Sequence, residues 1–301
     1  MKALVISGGG SKGAFAGGVA QYLLEERQKQ YDLFLGTSTG SLLITHLALK
    51  KIAKIRKVYT SVTQNSIFSN CPFTIHRKYG IATIGINHWN VIRNFIHGSN
   101  TFGESHNLLH LIRETITPEE FQAIQQSPVK LLVTVSNLSL NRVEYKSIDK
   151  CTYDDFCEWV WISCNYIPFM SLVRKNGCEY ADGGLGSMVP IEEAIDRGAR
   201  EVDAIILHTE VSHLNRMPSR NPFSMLTNMF GFMLDRIEEQ NIKIGKFTAN
   251  HHGAIINFYY TPTILTTNSL VFDRDQMTKW WKSGFLYAAS RSEESSELEL
   301  D

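Results

Sequence analysis

Residues 31–53 read YDLFLGTSTGSLLITHLALKKIA: a short bulky run, a turn of small residues, and a second apolar run. Tyr31 to Leu35 is the length and composition of a buried strand, and Ser41 to about Ala53 carries helix formers. Between them, Gly36-Thr37-Ser38-Thr39-Gly40 matches the nucleophile-elbow pattern G-x-S-x-G. A serine on a sharp strand-to-helix turn needs small neighbours, because the backbone is tight and the hydroxyl must stand clear. The helix N-terminus just beyond it favours developing negative charge. Ser38 is therefore the candidate nucleophile, with Gly36 and Gly40 as the elbow glycines.

Upstream, residues 2–7 form a β-branched run that ends in Gly8-Gly9-Gly10-Ser11-Lys12-Gly13. A helical stretch follows from Ala14 to Gln28, with Phe15, Val19, Leu23 and Leu24 on one side. Strand, glycine loop and helix start together present consecutive backbone N–H groups to an anion. Gly8-x-Gly10-x-x-Gly13 also fits the dinucleotide-binding fingerprint, which wants an acidic residue at the end of the second strand. Asp32 has about the right spacing, but it begins its strand, and Gly36 and Ser38 occupy the end. A phosphate P-loop fits less well, since Ala14-Phe15 follows Gly13. An oxyanion hole beside Ser38 fits better. Downstream, Asp182-Gly183-Gly184 alone would be an Asp-Gly turn. In the company of a serine that needs a base within hydrogen-bond reach, Asp182 becomes the candidate.

GGGSKG, then GTSTG, then DGG in that order resembles the patatin-like phospholipase family over roughly residues 2–210, and Cys164 through Phe169 resembles the family's proline-containing stretch before DGG. The resemblance implies a Ser–Asp dyad without histidine, acting on lipid or lysolipid through an acyl-enzyme. It makes Ser38 the nucleophile, Asp182 the base, and the N–H groups around Gly9 and Gly10 the oxyanion hole. Lys12 takes the loop position where the family has Arg or Lys. Met188 departs from the pattern, standing where members often have Asn.

Further strands are expected over 129–135, 142–147 and 202–208. Helices are expected over 89–97, 108–115, 118–123, 153–164, 190–198 and 223–246, with loops filling much of 60–128. Strands alternating with helices predict an α/β fold: a mostly parallel central sheet flanked by helices on both faces. Residues 1–290 read as one hydrolase domain and 291–301 as an acidic, solvated tail.

Composition sets outer limits. With 43% hydrophobic and 20% charged residues, 301 residues can bury a sizeable core. Net charge is zero and no long basic run occurs, so nucleic acid is not an expected partner. Five cysteines, an odd number with no CxxC, suit free thiols in the cytosol. No run of about 18 apolar residues would span a membrane. No His/Cys cluster has ligand spacing, so neither metal nor other cofactor is expected. A Ser-His-Asp triad is the competing reading: His208 and His251-His252 follow in suitable order, while His46 lies two helical turns past Ser38. The Met/Phe stripe at 225–233 and Trp280-Trp281 are read as core, with peripheral membrane contact as the alternative.

Overall fold

The strands of the computed structural model are β1 (Lys2–Ile6), β2 (Leu33–Thr37), β3 (Phe73–Lys78), β4 (Ile81–Ile86), β5 (Lys130–Asn137), β6 (Arg142–Ser147), β7 (Val173–Lys175), β8 (Cys178–Asp182), β9 (Glu201–Ile206) and β10 (Ile255–Tyr260). The structure describes residues 1–78, 81–210, 219 and 222–298. Strands β10, β9, β1, β2 and β5 pair in that order, all parallel. Strands β6 and β8 run antiparallel to β5, and β7 pairs with β8. β3 and β4 form a separate hairpin. The expected mostly parallel sheet is present.

Both faces are covered, and the side-chain period of two explains how. Leu4 and Ile6 enter one apolar cluster with Phe34, Leu131 and Val133. Ala3 and Val5 enter a second, with Leu33, Leu35 and Val202. Strands buried on both sides read as continuous apolar runs, not as alternation. That is why residues 2–7, 31–35 and 202–208 were legible.

The register on β5 places the site. β2 pairs with residues 130–134 of β5, and β8 pairs with residues 135–137. β6 overlaps both, spanning 132–137, so it must occupy the opposite edge. β2 and β8 therefore share one edge and arrive from opposite directions. Thr37 lies opposite Thr134 and Asp182 opposite Val135, the next position. Ser38 and Asp182 meet because their strands end head to head.

Several elements went unread. The β3–β4 hairpin falls where loops were expected. β7, β8 and β10 were not anticipated, nor was the Arg274–Leu298 helix. That helix continues past residue 290, where a solvated tail was expected, and residues 299–301 of that tail lie outside the described residues. It packs along the Gly13–Gln21 helix, with Trp281 only 1% exposed and its indole N–H donating to Gln21 Oε1 at 2.8 Å. The core reading of Trp281 holds. The stripe at 225–233 departs from that reading: Met225, Met229, Phe232 and Met233 are exposed. The Pro222–His252 helix turns its other side inward, toward a cavity.

Close approach of the two helices rests on Gly17 and Gly18. A Cβ at Gly18 would collide with the Trp281 carbonyl and crowd the Phe285 amide at 2.8 Å. Backbone atoms cannot swing aside as a side chain can. Gly18→Ala is expected to lower stability by roughly 1–3 kcal/mol, the usual range for overpacking. Urea unfolding followed by tryptophan fluorescence measures it, and an unchanged midpoint would refute the close-packing argument.

Candidate active site

The elbow is built as the small residues demand. Ser38 has φ 52° and ψ −120°, a strained backbone that only surrounding packing can hold. A Cβ on Gly36 would run into the backbone of Gly40 and Ser41, and one on Gly40 into the Ile6 carbonyl at the end of β1. The turn is clamped from outside as well. Ser38 N–H donates to Ser163 Oγ at 2.9 Å, and its carbonyl accepts from Ser41 Oγ at 2.6 Å and Cys164 Sγ at 3.1 Å.

Asp182 is 5% exposed and stands against Ser38. Its carboxylate accepts a hydrogen bond from Gly184 N–H at 2.7 Å, and the Ser38 hydroxyl lies near enough to favour its charged form. Burial pushes its pKa up to about 7, against the pull of the Ser38 hydroxyl and the Gly184 N–H. Its own N–H donates to the Asn165 carbonyl at 2.9 Å, which ties the Cys164–Phe169 stretch to the site. A Cβ on Gly183 would strike the Thr134 carbonyl, so this glycine lets the loop leave β8 close over β5.

The glycine loop lies alongside. Gly8 N–H donates to the Met188 carbonyl at 3.3 Å and Ser11 N–H to the Ser269 carbonyl at 2.8 Å. Among the described residues, no hydrogen bond engages the N–H groups of Gly9 and Gly10. Gly10 has φ +55°, and a Cβ there would meet the Ser269 carbonyl. Tyr59 Oη donates to the Gly10 carbonyl at 2.6 Å, and the Tyr59 ring leaves no room for a side chain on Gly13. Lys12 is buried, with Nζ 2.6 Å from the Leu207 carbonyl; burial lowers its pKa against the attraction of Glu238 and Asp235. Met188 packs its sulfur against Gly8 and its methyl against Gly184. Asn241, on the Pro222–His252 helix, accepts from Met188 N–H at 2.7 Å, a support no sequence motif marked.

Ser38, Asp182, Gly8, Gly9, Gly10 and Lys12 line one cavity of about 760 Å³, within the usual size of ligand sites. Its far wall is apolar, including Leu42, Val58, Ile67, Ile84, Leu111 and Ile112. Among the described residues, no histidine is hydrogen-bonded to Ser38 or Asp182, although His46 lines the cavity. His208 also lines the cavity, but its ring nitrogens lie 3.1 Å from Asp235 and 3.0 Å from Glu238. Lys12 and burial lower its pKa, and the bonds to those carboxylates outweigh them, leaving it above the ordinary value. His46 is fully buried, its Nε2 3.2 Å from the Thr115 carbonyl. His251 and His252 are exposed at the end of their helix. The dinucleotide reading loses its acidic residue: Asp32 accepts from Lys2 N–H at 2.8 Å, at the opposite end of β1 from the glycine loop.

A family model described as patatin-like phospholipase matches residues 4–195. Among curated proteins, the chain is 23% identical over 229 residues to the uncharacterized protein YjjU of Escherichia coli (strain K12), covering 72% of this chain and 54% of that one. It is also similar to the crystal structure of VipD from Legionella pneumophila, at 16% identity and a TM-score of 0.49, over 96% of this chain and 66% of that chain. The chain thus spans about half the length of the curated relative and about two thirds of the solved one.

The raised pKa of Asp182 has a consequence for stability. Unfolding returns the carboxyl to about 4, so above that pH the unfolded chain releases a proton that the native state still holds. Native stability is therefore lost as pH rises from about 4 through about 7. Asp182→Asn does not titrate and should gain on the wild type over that window, by on the order of 3 kcal/mol. Urea unfolding of both proteins at pH 5 and pH 8 checks it. A gap of equal size at the two pH values would contradict a raised Asp182.

Proposed function

The chain belongs to the patatin-like phospholipase family, and from that premise we propose that it is a serine acyl-ester hydrolase of lipids, of phospholipase A or lysophospholipase type, working through a Ser38–Asp182 dyad. The observation that carries the proposal is the meeting of Ser38, on its strained turn, with the buried Asp182 carboxylate, their strands ending at adjacent positions on β5 and both residues lining one cavity; burial raises the Asp182 pKa to about 7. A carboxylate near 4 is a weak base at neutral pH, whereas one near 7 is matched to proton transfer there. Residues 1–290 act as one catalytic domain in this reading.

In this reading the reaction runs in two halves. Asp182 takes the hydroxyl proton as Ser38 Oγ attacks the ester carbonyl carbon. The carbonyl oxygen becomes an oxyanion, received by the N–H groups of Gly9 and Gly10, which are not engaged within the loop. The tetrahedral intermediate collapses, the C–O bond to the alcohol breaks, and protonated Asp182 gives its proton to the leaving oxygen. Water then repeats the sequence on the acyl-serine, with Asp182 as base again. The apolar wall of the cavity suits an acyl chain, and it removes water from around Asp182.

Ser38→Ala is expected to reduce kcat by about 10⁴–10⁶ and abolish fluorophosphonate labelling. Asp182→Asn should approach that rate, while His46→Ala, His208→Ala, His251→Ala and His252→Ala each keep most activity. A folded histidine variant as slow as Ser38→Ala would replace the dyad with a triad. Wild-type kcat/KM should rise with pH through about 7 as Asp182 loses its proton. Because His46 and His208 both line the cavity, the same acid limb persisting in His46→Ala and in His208→Ala assigns it to Asp182, and its disappearance from either would assign it to histidine.

A further inference from the structure

The His88–Ile96 helix is oriented against the usual rule. Its inward side is narrow: Val91 and Asn94 are buried, and Asn94 Nδ2 donates to the Thr101 carbonyl at 2.9 Å. Its apolar residues at helical spacing face outward instead. Trp89 is 75% exposed, Ile92 52% and Ile96 78%. Arg93 is exposed on the same stripe. Monomeric proteins rarely leave such an ordered apolar row in water, and these rows mark interaction sites.

The row is continuous with the wall of the cavity. Phe95 packs on Phe102 at 6.1 Å between ring centroids, Phe102 on Phe169 at 6.0 Å, and Phe169 on Phe230 at 6.2 Å. Phe169 lines the cavity, and Phe230 belongs to the Pro222–His252 helix. The same helix gives the cavity Thr227, Gly231 and Leu234, and shows Met225, Met229, Phe232 and Met233 to the outside. Two outward apolar stripes thus lie on either side of an aromatic cluster that reaches the cavity.

Charge bears on what covers them. From Leu33 to Gly103 the chain contains eight Lys or Arg and not one Asp or Glu, in a protein of zero net charge. The His88–Ile96 helix and its Arg93 sit inside that stretch, as do Arg56 and Lys57, both exposed. Lys51 and Lys54 of that stretch are paired with Glu120, but Arg93 lies on the row itself and its helix carries no carboxylate, so the exposed tryptophan and aliphatic row complements a bilayer with anionic headgroups. We propose that the outward stripes of the His88–Ile96 and Pro222–His252 helices form a docking surface for an anionic lipid bilayer, seating the protein with its cavity toward the lipid. This rests on the lipid reading of the active site but concerns a separate surface.

Vesicle sedimentation of the Ser38→Ala protein tests the surface without any chemistry. Binding to phosphatidylcholine–phosphatidylglycerol vesicles should exceed binding to pure phosphatidylcholine and should weaken as salt is raised. Arg93→Ala should weaken it about fivefold, in keeping with one basic residue at a charged surface. The combined Trp89→Ser, Ile92→Ser, Ile96→Ser variant should weaken it at least about tenfold. In the Ser38 background, these variants should still hydrolyse a water-soluble short-chain ester at the parent rate, which also reports that they fold. Undiminished vesicle binding by the triple variant would overturn the proposal. So would equal binding to neutral vesicles, a parent dimer that the triple variant loses, or sedimentation with RNA in place of vesicles. If the triple variant fails to fold, unchanged binding by Arg93→Ala overturns it alone. Failure of ester hydrolysis in the parent, with vesicle binding intact, counts against the dyad and leaves the surface standing.

Discussion

Everything at the candidate site depends on one edge of one strand. β5 is long enough to pair with β2 along its first five residues and with β8 along its last three, on the same side. Two strands that run toward each other along a shared ruler must stop before they collide, and their final residues are then held at adjacent register positions. Thr37 and Asp182 are those residues, opposite Thr134 and Val135. The strained turn at Ser38 is the way out for a chain that cannot continue straight. The small residues around it follow from that crowding, since Gly40 passes the β1 carbonyl and Gly183 the β5 carbonyl with no room for a Cβ.

The same crowding sets the electrostatics. Where two strand ends abut between helices, water has little access, and the carboxylate that ends β8 loses its hydration. Its compensation is the Gly184 N–H bond and the nearby Ser38 hydroxyl, which do not fully offset burial. A raised carboxyl pKa destabilises the native state at neutral pH. For the proposed dyad, that cost falls on the group whose basicity the reaction needs, a common relation between stability and function. In the proposed reading the apolar cavity contributes twice, as a place for an acyl chain and as the surface that dries Asp182.

How far this was legible in the sequence differs by element, for physical reasons. Parallel strands buried on both faces leave unbroken apolar runs, so β1, β2, β5 and β9 stood out, and the elbow and glycine loops sit at strand ends where only small residues fit. β8 carries no such signal: Cys-Glu-Tyr-Ala-Asp is an ordinary mixed pentapeptide, and its place beside β2 comes from pairing with β5, which is invisible locally. The motif after it pointed to Asp182 even though its strand went unread. Lys12 was found by position, but its partner, the Leu207 carbonyl, is 195 residues away. Ser163, Asn241, Tyr59 and Ser269 brace the site through contacts of the same long-range kind and had no motif to announce them. The stripe at 225–233 misled because helical apolar spacing says which residues share a face, not what that face meets.

Those braces bear on how a loop of glycines could act as the fixed receptor the proposed mechanism needs. Glycine is the residue with most conformational freedom to lose, and a GGGSKG segment alone would sample many shapes. Here each flank is tied to a different part of the chain: Gly8 to Met188, Gly10 to Tyr59, Ser11 to Ser269, Lys12 to Leu207. The anchors come from both sides of the loop, so neither end can pivot. The N–H groups of Gly9 and Gly10 are left between fixed points, without partners in the loop itself. Donors held in place before charge develops stabilise it without reorganising at the moment of reaction. In the proposed mechanism the long-range contacts, more than the glycines, would make the loop a receptor, and the glycines are what allow those contacts to be reached.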